Sequence, residues 1–240
     1  MSIESVKGLC KQLKLAYIPQ LLEEKNQPTF TAQVEELLRL EILQRQNAKL
    51  ARLVKGASFS SLKTFENYCF DDITFQGKYN ESTIRSLEWI SAKENIILMG
   101  NVGTGKTHMS IALGIEACQQ GKKVKFYKAC DLVETLELKH LEGRSAHFRK
   151  TLMKYDLLII DEIGYIPFSQ TGSELLFNVI AECYEKQSLM ITTNLQFKEW
   201  ESIFGSNKLT AAMIDRLVHH GHIVSFSGTS YRLKKALEEY

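Results

Sequence analysis

Eight consecutive residues, Gly100, Asn101, Val102, Gly103, Thr104, Gly105, Lys106 and Thr107, spell the spacing GxxxxGK followed by threonine. In that spacing the glycines let backbone N–H groups curl around phosphate oxygens. The lysine reaches the terminal phosphates, and the threonine hydroxyl ligates magnesium. The apolar run Ile96 to Met99 precedes the loop and the helix-like stretch Met109 to Cys118 follows it, so both flanks the chemistry needs are present. With glycine near 7% of average composition, roughly one chain in a hundred of this length carries the pattern by chance, before flanks are demanded. The segment therefore predicts binding of a nucleoside triphosphate with magnesium, and hydrolysis of ATP.

Two carboxylates supply the next part. Leu157 to Ile160, followed by Asp161 and Glu162, reads as a buried parallel strand ending in two acids at the sheet's carboxyl edge, where the phosphate loop also lies. Asp161 is assigned to the magnesium shell and Glu162 to orienting and activating the attacking water, because phosphoryl transfer depends on positioning and charge neutralisation. Asn194 follows the apolar run Leu189 to Thr193 and is expected at the same edge, where an amide holds the lytic water by hydrogen bonds. Arg216 and Arg232 are further candidates, since arginine beside a γ-phosphate stabilises transition-state charge whether supplied in cis or by a neighbouring subunit.

Other charged groups are less informative. His219, His220 and His222 lie at an expected helix-to-strand junction with no cysteine or carboxylate at matching ligand spacing, so no metal site is expected there. Lys122, Lys123, Lys125 and Lys128 flank the second strand, and Arg144, His147, Arg149 and Lys150 form another basic stretch. Each reads equally as solvated surface or as a face for a phosphate backbone.

A frame has to position these groups. Apolar runs recur at Asn95 to Met99, Val124 to Tyr127, Leu157 to Ile160, Leu189 to Thr193 and Ile223 to Phe226, each separated by more than 20 residues. Such gaps are too long for hairpins and fit helical crossovers, which predicts a mostly parallel sheet covered by helices on both faces. Ahead of it, Leu9, Leu13 and Tyr17 are spaced for one helical face. Thr31 is a candidate N-cap for a second helix carrying Val34, Leu37, Leu38 and Ile42, then the basic run Arg45, Lys49, Arg52 and Lys55. Gly56 to Ser61 has hinge composition, with Phe59, Phe65, Tyr68 and Phe70 available to dock the linker. The expected domains are a helical one over 1–65 and an α/β one over 66–240.

Bulk properties bound the rest. A chain of 240 residues with 44% hydrophobic and 24% charged residues suits one sizeable α/β core plus an appendage. The five cysteines are scattered, without CxxC spacing, and read as reduced thiols. The segment before Phe65 carries a net charge of +4 and the remainder −2, which permits an anionic partner for the front part. No apolar stretch approaches the roughly 18 residues of a membrane span and no signal pattern opens the chain, so a cytoplasmic protein away from membranes is expected.

The whole order resembles the AAA+ ATPases: Gly100 to Thr107 with His108 next, then Leu158 to Glu162 continuing as Ile163, Gly164 and Tyr165, then Thr192, Thr193 and Asn194. The C-terminal part narrows the match. Leu209 to His220, reading LTAAMIDRLVHH, and Gly228 to Leu233, reading GTSYRL, with Phe197, Trp200, Phe204 and Gly205, are similar to the IstB family of transposition helper ATPases. Their relatives are the DnaC-type helicase loaders. The resemblance implies a P-loop NTPase sheet sandwiched by helices, behind a small all-helical N-terminal domain that contacts DNA or a partner. It implies nucleotide contacts from Gly100 through His108 and from Arg232 as sensor 2, with Asn194 as sensor 1 and Arg216 as an arginine finger reaching a neighbour's nucleotide.

Carried further, the resemblance implies ATP and Mg2+ as cofactors, double-stranded DNA as ligand and nucleotide-dependent homo-oligomers. Target DNA would be selected for a partner transposase of the IstA type during insertion-sequence transposition. The alternative on the same fold is a DnaC-like replicative helicase loader preferring single-stranded DNA. A nucleotide switch without turnover is disfavoured by the presence of both Asp161 and Glu162. Asn101 and Val102, where relatives more often have small residues or proline, and Lys234 after SYRL are departures that carry no catalytic chemistry.

Overall fold

The computed structural model describes residues 3–25, 27–66, 68–77 and 79–231. The chain divides into two compact units, Met1–Arg52 and Leu53–Tyr240. This division falls ahead of the composition change near residue 65 because the second unit holds the Gly56 to Ser61 stretch. Lys125 Nζ donates to Ser58 Oγ at 2.8 Å, and the Phe59 ring meets Phe126 edge-on at 6.1 Å.

The first unit is helical, with α1 (Ile3–Leu13), α2 (Ile18–Lys25) and the start of α3 (Pro28–Ala57). Val6, Cys10 and Leu13 from α1, Leu22 from α2 and Leu38 from α3 form its buried cluster, with Val34 and Ile42 packed against it. Two expectations are corrected here. Tyr17 does not extend the face of Leu9 and Leu13: Lys14 adopts φ 59° and Leu15 N–H reverts to the Cys10 carbonyl at 2.9 Å, ending α1 and leaving Tyr17 76% exposed. Thr31 is not an N-cap, because Pro28 opens α3 in the first-turn position that suits proline, and the Thr31 hydroxyl bonds to the Gln27 carbonyl at 3.1 Å.

The second unit is built on a six-stranded sheet in the order β1-β6-β2-β5-β4-β3. Its strands are β1 (Ile73–Phe75), β2 (Asn95–Gly100), β3 (Val124–Lys128), β4 (Leu157–Ile163), β5 (Ser188–Thr193) and β6 (Gly221–Phe226). Five are parallel and coincide with the five apolar runs. The three-residue β1 pairs antiparallel with β6 and was too short to register in the pattern. Between them run α4 (Glu81–Ser86), α5 (Glu88–Ser91), α6 (Lys106–Gln119), α7 (Ala129–Leu141), α8 (Ser145–Leu152), α9 (Gln170–Cys183), α10 (Glu201–Phe204) and α11 (Asn207–His219).

Burial on both faces explains why β2, β4 and β5 read as continuous apolar runs. Ile97, Met99, Leu158, Ile160, Leu189 and Ile191 point into one core with residues of α7, α9, α10 and α11. The alternate residue Ile159 faces α6, where a Cβ on Gly114 would lie 3.0 Å from its Cδ1. Trp200 and Phe204 are buried in the first of these cores with Met213 and Leu217, and each large side chain so buried contributes about 1.5–3 kcal/mol of transfer free energy. Among the described residues no helix is long and apolar enough to cross a membrane.

The strand order has one consequence for chemistry. β5 lies between β2, which leads into the phosphate loop, and β4, which ends in the acids. Three parallel strands therefore deliver their carboxyl ends side by side, the place where α/β sheets bind ligands.

Candidate active site

The loop after β2 takes the shape its glycines permit. Gly103 has φ +80°, and a Cβ there would sit 2.2 Å from Ser230 Oγ, so the chain after β6 closes against the loop. Tyr231 N–H donates to the Gly103 carbonyl at 3.0 Å. Gly105 is the N-cap of α6, in the left-handed conformation and without a side-chain cap, which leaves the first-turn N–H groups to a ligand. The Lys106 ammonium donates to the carbonyls of Gly100 at 2.6 Å and Asn101 at 2.7 Å, so the loop supplies its own acceptors for the cation. Thr104 Oγ1 donates to the Asn101 carbonyl at 2.8 Å, and Val102 is 48% exposed.

The segment leading into the sheet grips the other side of α6. Tyr68 donates its hydroxyl to the Gly105 carbonyl at 3.2 Å, and its ring lies 4.9 Å from that of His108. His108 Nε2–H donates to the Thr64 carbonyl at 2.6 Å. Phe65 and Phe70 complete an aromatic cluster with Tyr68, with centroids 5.0–5.5 Å apart. Burial pushes the Tyr68 phenol well above its ordinary pKa, so it stays a donor. The composition marked these aromatics only as a docking patch; their contact with the first turn of α6 depends on the tertiary path.

The acids sit where β4 breaks step with β5. Ile160 pairs with Ile191 but Ile163 pairs with Thr193, a bulge centred on Asp161 and Glu162. A bulge re-aims side chains, and Glu162 takes φ 64°, rare for a residue with a Cβ. Asp161 is 1% exposed and accepts from Thr107 Oγ1 at 2.9 and 3.1 Å and from Thr192 Oγ1 at 2.6 Å. Burial raises its carboxyl above the ordinary value; the two hydroxyl bonds pull the other way without cancelling it. Glu162 N–H donates to Thr192 Oγ1 at 2.8 Å, so one hydroxyl on β5 fixes both acids. The Glu162 carboxylate is partly open and lies 3.7 Å from Lys128 Nζ.

Asn194 follows β5 directly. Its Oδ1 is buried without a hydrogen-bond partner among the described residues, and it would lie 3.1 Å from a Cβ on Gly164, two residues past Glu162. Lys106, Thr107, Asp161, Glu162 and Asn194 thus gather at one edge. Arg216 does not join them: it lies on α11 with its Nη1 on the Ala212 carbonyl at 2.7 Å and its guanidinium 4.9 Å from the Phe177 ring of α9. Arg232 lies outside the described residues.

Sequence reasoning missed Thr192 and Lys128 as members of this cluster. In the sequence Lys128 reads as part of the basic flank of β3, and the register Lys128↔Asp161 is what brings it to Glu162. Of the second basic stretch, Arg149 is engaged by Glu182 at 2.6 Å.

The family model described as "IstB-like ATP binding protein" matches residues 10–239. An ATP-binding protein, so named, of insertion sequence IS5376 from Geobacillus stearothermophilus is 39% identical over 207 residues, 85% of this chain and 81% of that one. Its counterpart in insertion sequence IS232 of Bacillus thuringiensis subsp. berliner is 36% identical over 212 residues, 87% of this chain and 84% of that one. Among solved structures, AMPPCP-bound DnaA from Aquifex aeolicus superposes over 76% of this chain and 57% of its own with a TM-score of 0.57. At 23% identity that likeness is one of fold, the AAA+ arrangement of a P-loop NTPase. By sequence over nearly its whole length, the chain belongs to the IstB-like ATP binding proteins of insertion sequences.

Proposed function

We propose that the protein is a magnesium-dependent ATPase that binds double-stranded DNA, assembles on it as a nucleotide-dependent homo-oligomer and selects target DNA for a partner transposase of the IstA type. The observation that carries the enzymatic part is the convergence of Thr107, Asp161 and Thr192, with Glu162 beside them on the bulge. The transposition part rests on membership of a family whose curated relatives belong to insertion sequences.

The residues suit the ligands. Thr107 Oγ1 and the Asp161 carboxylate form an all-oxygen donor set, the kind a hard cation takes. Magnesium held there neutralises phosphate charge. Lys106 exchanges its two carbonyl partners for terminal phosphate oxygens, and the first-turn N–H groups of α6 complete the cradle. Glu162, with the Lys128 ammonium 3.7 Å from its carboxylate, accepts a proton from the attacking water, and the Asn194 amide, whose Oδ1 has no partner among the described residues, orients that water. Arg216, placed on α11 away from its own chain's cluster, serves a neighbour's nucleotide and so links assembly to nucleotide state. The N-terminal domain over 1–65 contributes DNA or partner contacts, with the run Arg45, Lys49, Arg52 and Lys55 on α3 among its cationic side chains.

Size-exclusion chromatography with light scattering, on protein with a duplex of about 50 base pairs in low salt, because phosphate contacts are salt-sensitive, tests this reading with ATP and with ADP. A large complex that needs both ATP and duplex is the expected outcome. A monomer indifferent to duplex, or one that prefers single strands, overturns it in favour of the helicase-loader alternative.

A further inference from the structure

We infer a transition-metal site, separate from the nucleotide site, formed by Glu185, His219 and His220. Ligand atoms of the three lie within 4.8 Å of one another. They come from two connections: Glu185 from the turn between α9 and β5, with φ 58°, and His219 and His220 from the end of α11 leading into β6. Sequence spacing gave no carboxylate near the histidines, because Glu185 lies more than 30 residues upstream. β5 and β6 flank β2 and run parallel to it, so their starting ends share the edge opposite the Thr107–Asp161 cluster.

The geometry fits a zinc-class ion. His220 Nε2 and Glu185 Oε1 are 3.2 Å apart. The edge of a tetrahedron with metal–ligand bonds of about 2.0–2.2 Å is roughly 3.3–3.6 Å, so the two atoms stand close to the spacing of adjacent vertices around one ion. Tyr184 holds the His219 ring through a 2.7 Å bond to Nδ1. With Nδ1–H donated to the phenol oxygen, Nε2 keeps its lone pair, the outer-shell support that metal-binding histidines commonly carry. The two imidazoles pack edge to face, with centroids 4.2 Å apart and planes at 67°. Two imidazoles and one carboxylate favour zinc, nickel or cobalt over magnesium, with water completing the shell on this exposed surface. The ion ties the end of α11 to the α9–β5 turn. Arg216 lies one turn upstream on the same helix.

The test is a titration of EDTA-treated full-length protein with Zn2+ by calorimetry and with Co2+ by visible absorption, in excess Mg2+ to occupy oxygen sites. The expected result is one ion per chain, a higher melting temperature with Zn2+, and affinity reduced about tenfold or more in His219→Ala and in His220→Ala. Glu185→Gln, a change on an exposed turn, supplies the same comparison should a histidine variant fold poorly. Lack of binding at micromolar Zn2+, or binding unaltered in all three variants, overturns the inference; the latter would place the ion on thiols such as exposed Cys69.

Discussion

The Thr107 hydroxyl lies 2.9 and 3.1 Å from the two oxygens of Asp161, joining the first turn of α6 to the end of β4 across 54 residues of chain. The acid is buried, and it also accepts from Thr192. A carboxylate so enclosed is a cost to the fold unless a cation meets it.

That cost predicts the behaviour of Asp161→Asn. Burial raises the Asp161 carboxyl in the folded chain above its ordinary value of 3.8. The stability this group contributes is present below the ordinary value and is lost as pH rises through the raised one. Without nucleotide, Asp161→Asn should melt above wild type at neutral pH, with the gap closing on acidification, by about 2–4 °C for each kcal/mol of relief. Magnesium-dependent nucleotide binding should be lost. Melting curves at several pH values check both, and a variant that melts lower at pH 7 would remove the argument.

Thr192→Val keeps shape but deletes the hydroxyl that serves both acids. The Glu162 N–H loses its acceptor, costing about 1–3 kcal/mol in urea unfolding. ATP turnover should drop by about tenfold or more while nucleotide affinity stays near wild type. Unchanged turnover would mean that the bulge holds Glu162 without this bond.

Gly103→Ala places a methyl group 2.2 Å from Ser230 Oγ at φ +80°. The expected outcome is roughly 1–3 kcal/mol of lost stability and weakened nucleotide binding. Adding Ser230→Gly should restore part of the binding, because it removes the collision but leaves the backbone strain. Binding equal to wild type in the single variant would show that the segment after β6 moves aside freely.

Lys106→Ala and Glu162→Gln should fail at different stages. The first removes the ammonium that the loop carbonyls now hold and abolishes nucleotide binding. The second retains binding and accumulates an ATP-bound assembly on duplex DNA, with turnover reduced by about 100-fold or more. Fluorescent-nucleotide titration beside a steady-state assay separates the two stages; comparable turnover in Glu162→Gln and wild type would unseat Glu162 as the base.

Arg216→Ala should bind nucleotide as a monomer but lose DNA-stimulated hydrolysis by about 10³-fold, the scale of an arginine finger. Mixing it with Lys106→Ala protein should recover some activity if each subunit supplies what the other lacks. No complementation, with full activity in the single variant, would end the shared-site reading.

Much of this arrangement was legible in the sequence. The phosphate loop, the acid-terminated strand and the five parallel strands each leave a local signature, since spacing and continuous burial act within a few residues. Thr192, Lys128 and Tyr68 were not legible as site residues, because their roles come from register and from the path of the chain. The bulge at Asp161 and Glu162 leaves no compositional mark, and neither does the meeting of Glu185 with His219 and His220. Tyr17 and Thr31 misled for the opposite reason: helical spacing continued past residues where a left-handed turn and a proline fix the real helix ends.

The two margins of the sheet bear on how copies of this protein can meet. One margin is β1, three residues long, and the other is β3, which carries Lys125 and Lys128. Short outer strands and lysines are the usual means by which proteins deter strand-to-strand polymerisation. If copies assemble as proposed, this favours contacts through helices and loops, which leave each sheet a closed unit and each subunit free to part from its neighbours without unravelling.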